Sequence, residues 1–489
     1  MKRSILKSIP AVLFLLLLII AGCASKKEDE GKIQITTASD EAREDFIKGR
    51  DLSEKLKGTE SLQYFENAIT KDGNFALAYY YHALSNPTAK GFFEDLDKAV
   101  SLADKVSEGE RLLILQLKAG VDGDQKKQEE TNLKLTEKFP KDERAHTQLG
   151  TFYFGVQEYE KAADHLKKST EIDSAFAPSY NMLGYSYRNL GNYNEAEAAF
   201  KKYIQLIPDD PNPYDSYAEL LMKEGKYQES IEQYKKALSV DSNFVPSFVG
   251  IATNYNYLGK HNDARTQLQK YYNMARNDGE KRAALFATAV SYIDEGNFTK
   301  ALEEMNKQLQ MGEKINDGAA ITGDYNTIGN ILFEMGKYDE AKANYDKSLQ
   351  ASEGSNLSAE VKNATKRLDI YNQARVALMK GDLSAAKEKS KQFMEETAAA
   401  NNTFQIWLSH ELEGMVALKE KDYKKAEDEF KNGNQQNPYT FYRIALALEG
   451  AKDKEGAKKY YKIAGNFNAL NNMNQAFIRN KALKMAAAN

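Results

Sequence analysis

One cysteine, one tryptophan, five histidines and nine prolines are all that 489 residues contain of these four types. A single thiol cannot close a disulfide within the chain or build a thiolate metal site. So few prolines leave long stretches without the residue that most disrupts a helix interior, which favours an all-α chain. His82, His146, His165, His261 and His410 include no two at metal-ligand spacing, and no H-E-x-x-H occurs. Also missing are a G-x-S-x-G elbow, a phosphate loop ending in Gly-Lys-Ser/Thr and a dinucleotide fingerprint. The net charge of −4 lacks the basic excess with which a general nucleic-acid binder meets phosphates. Among 71 acidic residues a pair such as Asp209-Asp210 carries no information. A non-enzymatic protein without cofactor, metal or nucleic acid is expected.

What is present begins with "MKRSILKSIPAVLFLLLLIIAGC". Lys2, Arg3 and Lys7 lead into an apolar run from Ala11 to Ala21, too short to span a bilayer as a mature helix. Ile20-Ala21-Gly22-Cys23 resembles the lipobox of bacterial lipoproteins. The resemblance implies cleavage before Cys23 and a diacylglycerol on its thiol; an ordinary signal peptide is the alternative. Residues 1–22 then form a signal peptide, and 23–40 a flexible polar tether. Ala24 is not the aspartate that retains many such proteins on the inner membrane, so the resemblance favours the outer membrane of a bacterial envelope, facing the periplasm or the surface. Lys27-Glu28-Asp29-Glu30 is similar to a short surface-export signal, or is a solvated charge run.

Beyond the tether a ten-residue phrase returns. "QEYEKAADHL" from Gln157 is followed by "GNYNEAEAAF" from Gly191, "GKYQESIEQY" from Gly225 and "GKHNDARTQL" from Gly259, each 34 residues after the last. In the same register Gly150 and Gly184 stand three residues before Tyr153 and Tyr187. Tyr159, Tyr193 and Tyr227 recur, as do Ala162 and Ala196, then Leu166, Phe200 and Tyr234. The pattern resembles the tetratricopeptide repeat, whose units are antiparallel helix pairs, most strongly from Glu143 to Met274. It implies a right-handed α-solenoid. Gly184 and Ala196 would sit where two helices cross, and Tyr187 and Phe200 would fill the seam between units. Gly191, Gly225 and Gly259 would end first helices in the left-handed turn. The phrase is thus a turn and a packing ridge, without chemistry.

Later copies are spaced more widely. "GNFTKALEEM", "GKYDEAKANY", "GDLSAAKEKS" and "KDYKKAEDEF" begin at Gly296, Gly336, Gly381 and Lys421, at intervals of 37, 40, 45 and 40 residues. Toward the amino end "SLQYFENAI" and "DLDKAVSLA" read as second helices of degraded units. The expected organisation is degenerate pairs over 41–142, regular units over 143–280, longer units over 281–468 and a capping helix over 469–489. About 12 helix pairs fit this length.

By resemblance, the first helices of such units line a concave face. Asn181, Tyr185, Arg188 and Asn189 would point inward, followed by Asp215 and Glu219, by Thr253, Asn256 and Tyr257, and by Asn326 and Asn330. Asparagine donates and accepts at once, which suits an extended peptide backbone. Asn326 and Asn330 lie one helical turn apart and have no evident packing duty; a merely solvated face is the alternative. A lysine-and-asparagine clamp for a chain terminus is not apparent. The expected function is a lipid-anchored scaffold or adaptor that binds a protein or extended peptide in its groove. The competing reading is a nutrient-capture lipoprotein for glycans or peptides. Its customary long inserted loops have no room between Gln157 and Gly259, most of the 29 tyrosines fall on packing positions, and Trp407 is the one indole for sugar stacking.

Overall fold

A computed structural model describes residues 31–55 and 57–488; Cys23 and the signal peptide lie outside them. The described residues form consecutive helix pairs. The first three are α1 (Asp40–Glu54) with α2 (Gly58–Lys71), α3 (Ala76–Ser85) with α4 (Ala89–Leu102), and α5 (Glu108–Val121) with α6 (Gln125–Lys138). Then come α7 (Glu143–Gly155) with α8 (Tyr159–Ile172), α9 (Ala177–Leu190) with α10 (Tyr193–Leu206), and α11 (Asn212–Lys223) with α12 (Tyr227–Val240). The middle continues with α13 (Val245–Tyr257) and α14 (His261–Met274), α15 (Asp278–Glu295) and α16 (Phe298–Lys314), α17 (Gly318–Glu334) and α18 (Tyr338–Glu353). The last pairs are α19 (Ala359–Lys380) with α20 (Leu383–Ala400), α21 (Thr403–Glu420) with α22 (Tyr423–Asn432), and α23 (Pro438–Gly450) with α24 (Lys454–Gly465). A single helix, α25 (Met473–Ala488), closes the chain. The result is an α-solenoid of the tetratricopeptide type.

The repeated glycine acts as the sequence implies. Gly225 has φ 80° and its N–H reaches Met222 O, while the Lys226 N–H reaches back to Leu221 O. These two bonds satisfy carbonyls left over at the end of α11, in a Schellman arrangement. Gln157, Lys421 and Lys452 hold the same left-handed conformation, with φ of 64°, 65° and 69°, without being glycine.

Within a unit a small residue on the first helix receives a large one from the second. A Cβ on Gly184 would stand 2.6 Å from the Phe200 ring, so only glycine leaves the notch that this ring fills. Phe200 is fully buried and packs with Ala196 and with Leu220 of the next unit, so one side chain joins two units. Such a side chain contributes about 1.5–3 kcal/mol by leaving water.

Two expectations about the chain ends change. Residues 32–38, assigned by sequence to the tether, are held against the first units. Lys32 pairs with Glu143 at 2.9 Å, the Ile33 N–H donates to Asp142, and Thr36 donates to Glu110 through its N–H at 2.7 Å. Ile33 and Ile35 pack on the amino-terminal core. This short apolar-polar alternation was hidden by the charged residues around it.

The terminal helix does more than cover α24. It also packs on α15, where Asn480 donates to Asp294 O at 2.7 Å, and reaches the ends of α13 and α16, where Arg479 donates to Tyr257 O at 3.0 Å and Phe477 stacks on Phe298. Elsewhere too, residues more than two hundred positions apart meet: Arg276 with Glu60 at 2.8 Å, and Gln157 with Asn434 at 2.8 Å. Successive turns of the solenoid therefore touch, and its last turn lies on its middle one. Among the described residues no helix is long and apolar enough to cross a membrane.

Candidate binding surface on the first helices

All eleven residues that sequence placed in the groove stand on first helices, and two clusters form among them. The first surrounds Glu219 on α11. Tyr185 donates its hydroxyl to Glu219 at 3.0 Å, Arg188 donates to the other carboxylate oxygen at 3.0 Å, and the guanidinium lies over the Tyr185 ring. Asn181 and Asn189 are half-buried on the same helix. The side-chain oxygen of Asn181 is buried without a hydrogen-bond partner among the described residues.

Several of these residues are committed to neighbouring units rather than presented to a groove. Asp215 is buried and accepts from Ser247 at 2.6 Å; burial, with Glu219 beside it, raises its carboxyl well above the usual range. Asn256 is buried and accepts from Ser291 at 2.8 Å. Tyr257 donates to the carbonyl oxygen of Ala469, and Thr253 bonds back to Val249 O within its helix. The sequence gives their position on the helix but not the chain that arrives from the next turn.

Asn326 and Asn330 belong to the second cluster, and the expectation that they have no packing duty is corrected. Asn326 accepts from Asn372 at 2.9 Å. Asn330 accepts from the Tyr345 hydroxyl at 3.0 Å and from Arg375 at 3.1 Å. Their oxygens are therefore occupied, and their amide nitrogens remain as donors.

Around them is a cavity of about 170 Å³, lined by Asn326, Asn330 and Glu334 of α17, Tyr371, Asn372 and Arg375 of α19, Glu411 of α21, and Tyr439 and Arg443 of α23, with Asn474 and Phe477 of α25 at its side. Arg443 stands 2.7 Å from Glu411, which also accepts the Tyr371 hydroxyl. Glu334 accepts from Tyr439 at 2.6 Å and pairs with Lys481 at 3.3 Å. Arg375 lies over the rings of Phe333 and Tyr371, and Arg443 over Tyr439. An adjoining cavity of about 430 Å³ is largely apolar, lined by Phe333, Tyr338, Met379, Met415, Leu418 and Leu446, with Glu334, Lys419, Arg443 and Lys481 also in its lining.

Arg375, Glu411, Tyr439 and Arg443 escaped the sequence reading. Their signal was a tyrosine four residues before an arginine on two long-period first helices, Tyr371 with Arg375 and Tyr439 with Arg443. Four residues is the spacing at which a guanidinium can lie over a ring on the same helix face.

The tetratricopeptide repeat model matches residues 177–210, 212–244 and 325–354, which cover the α9–α12 units and much of α17 and α18. Protein O-mannosyl-transferase TMTC3 of Homo sapiens is 25% identical over 234 residues, 45% of this chain and 25% of that protein. Superkiller protein 3 of Schizosaccharomyces pombe is 26% identical over 236 residues, 45% of this chain and 16% of the other. A TPR repeat-containing protein of Methanocaldococcus jannaschii is 25% identical over 223 residues, 43% of this chain and 37% of its own length. The chain thus spans well under half the length of each of these relatives. A crystal structure of MamA is 25% identical, with a TM-score of 0.27 and coverage of 31% of this chain and 92% of that one.

Proposed function

We propose that this chain is a lipid-anchored adaptor of a bacterial envelope that binds a protein or extended peptide on the inner wall of its carboxy-terminal units. The repeats point to a protein–protein interaction scaffold. The single observation that carries the finer reading is the wall itself. Four successive first helices, α17, α19, α21 and α23, contribute polar side chains to one cavity beside a largely apolar one. A peptide backbone needs donors for its carbonyls, and the amide nitrogens of Asn326 and Asn330 supply them. Apolar side chains of the same partner would bury against Met415, Leu418 and Leu446. Attachment through Cys23, in the outer membrane, would fix the adaptor where such a partner passes.

Affinity capture tests the wall. Asn326→Ala removes one donor and should weaken partner capture about tenfold. Lys391→Glu, on the outer surface where Lys391 is 74% exposed, should leave capture unchanged. The opposite result, with Lys391→Glu abolishing capture, assigns binding to the outer helices.

A further inference from the structure

Residues 32–38 lie between the proposed anchor and the first helix, and their partners stand at helix ends. Asp142 accepts the Ile33 N–H at 2.8 Å through one oxygen and caps α7 with the other, which takes the N–H groups of Arg144 and Ala145. Glu110 is fully buried, closes the capping box of α5 with Ser107, and accepts from both the N–H and the hydroxyl of Thr36. The Ser107 hydroxyl donates in turn to Gln34 O at 3.3 Å. Asp72, at the end of α2, accepts from the Thr37 hydroxyl at 2.6 Å and from the Ala38 N–H at 3.1 Å. A Cβ on Gly109 would stand 2.9 Å from Ile33, so α5 keeps a notch for this side chain. Segments near a chain end are ordered only where they are tied down, and these ties reach three helix pairs.

We propose that residues 32–38 are a strap that sets the stand-off of the array from a lipid surface. The inference rests on Cys23 carrying the lipid. Lys32 stands nine residues after Cys23, a length of chain that spans at most about 30 Å in any conformation. The docked strap therefore tethers the array by the edge where α5 and α7 begin, and keeps that edge within this distance of the acylated residue. Without the strap the attachment point moves to Asp40 at the start of α1, 17 residues after Cys23, and the limit rises to about 60 Å. The chain is continuous, so the anchor reaches the array only through this segment. Docking thus halves the reach of the adaptor and selects the edge by which it is held.

Two measurements on the full chain test the strap. Hydrogen exchange reads docking: the Ile33 and Thr36 amides, which donate to Asp142 and Glu110, should exchange at least about tenfold more slowly than in the unfolded chain. Energy transfer reads stand-off. The acylated protein is placed on phosphatidylcholine vesicles that carry an acceptor dye on a headgroup, with a donor attached through Glu137→Cys, an exposed position near the end of α6. Ile33→Ser/Ile35→Ser removes the apolar contacts of the strap. It should abolish protection of the Thr36 amide, lower the transfer and broaden the distribution of distances. If that variant fails to fold, a Gly-Ser octapeptide inserted after Ser25 carries the comparison, because it lengthens the free chain while the strap stays docked. The insertion should keep the amides protected and lower the transfer in the same way. Unprotected Ile33 and Thr36 amides in the wild type overturn the strap. A wild type with protected amides but no acyl chain on Cys23 fails the lipid reading, and the stand-off with it. Acylated protein whose transfer is unchanged by the folded serine variant, or by the insertion in its place, sinks this inference alone.

Discussion

The ammonium of Lys223 lies 3.5 Å from the centre of the Phe467 ring and donates to the carbonyl oxygen of that residue at 2.8 Å. This contact joins α11 to the segment leading into α25, and Tyr227 and Asn468 bond beside it at 2.7 Å. Burial, with Arg188 nearby, lowers the Lys223 ammonium to about 7. The unfolded chain keeps the proton up to about 10.4, so between these values the unfolded state binds more protons than the folded one. Stability relative to Lys223→Met should therefore rise with pH from about 7 to about 10, with the full penalty below that window. Chemical denaturation of both proteins at about pH 6 and about pH 9.5 measures it. A pH-independent difference means that the segment does not desolvate Lys223.

Left-handed positions give a stability test of opposite signs. Gly225→Ala places a Cβ at φ 80° and should cost about 1 kcal/mol. Lys421→Gly, at φ 65°, relieves the same strain and should stabilise by a few tenths to about 1 kcal/mol. Denaturation midpoints at constant m-value decide both.

Ala196 is fully buried beside Phe200, whereas Asp209 is exposed. Ala196→Leu should force α9 and α10 apart and cost about 1–3 kcal/mol. Asp209→Ala should remain within about 0.5 kcal/mol. Equal losses would mean that the repeat register is wrong.

Anchoring is tested at Cys23, whose acyl chains are expected to hold the protein to the membrane. Cys23→Ser should move it into the aqueous phase of a detergent partition, or leave it uncleaved. A processed serine variant that partitions like the wild type removes the lipid from the proposal.

The solenoid was legible because its packing is local. Gly184 and Phe200 are sixteen residues apart and repeat with the unit, so the period of 34 exposes both the turn and the notch. Lys223 and Phe467 are 244 residues apart, and nothing periodic links them, so the contact between turns was invisible. The cavity fell between these cases. Asn326 and Asn330 were visible as a pair on one helix face, but their partners Asn372 and Arg375 come from the next unit at an irregular interval of 45 residues. The docking of Ile33 and Ile35 was missed because two isoleucines in a charged segment show no helical period.

A photo-crosslinking residue placed at Asn326, and separately at Lys391, tests the central claim most directly in living cells. If the inner wall binds the partner, irradiation at position 326 yields one discrete protein adduct, and the adduct is absent at position 391. A discrete adduct from position 391 with none from position 326 would contradict the inner-wall assignment.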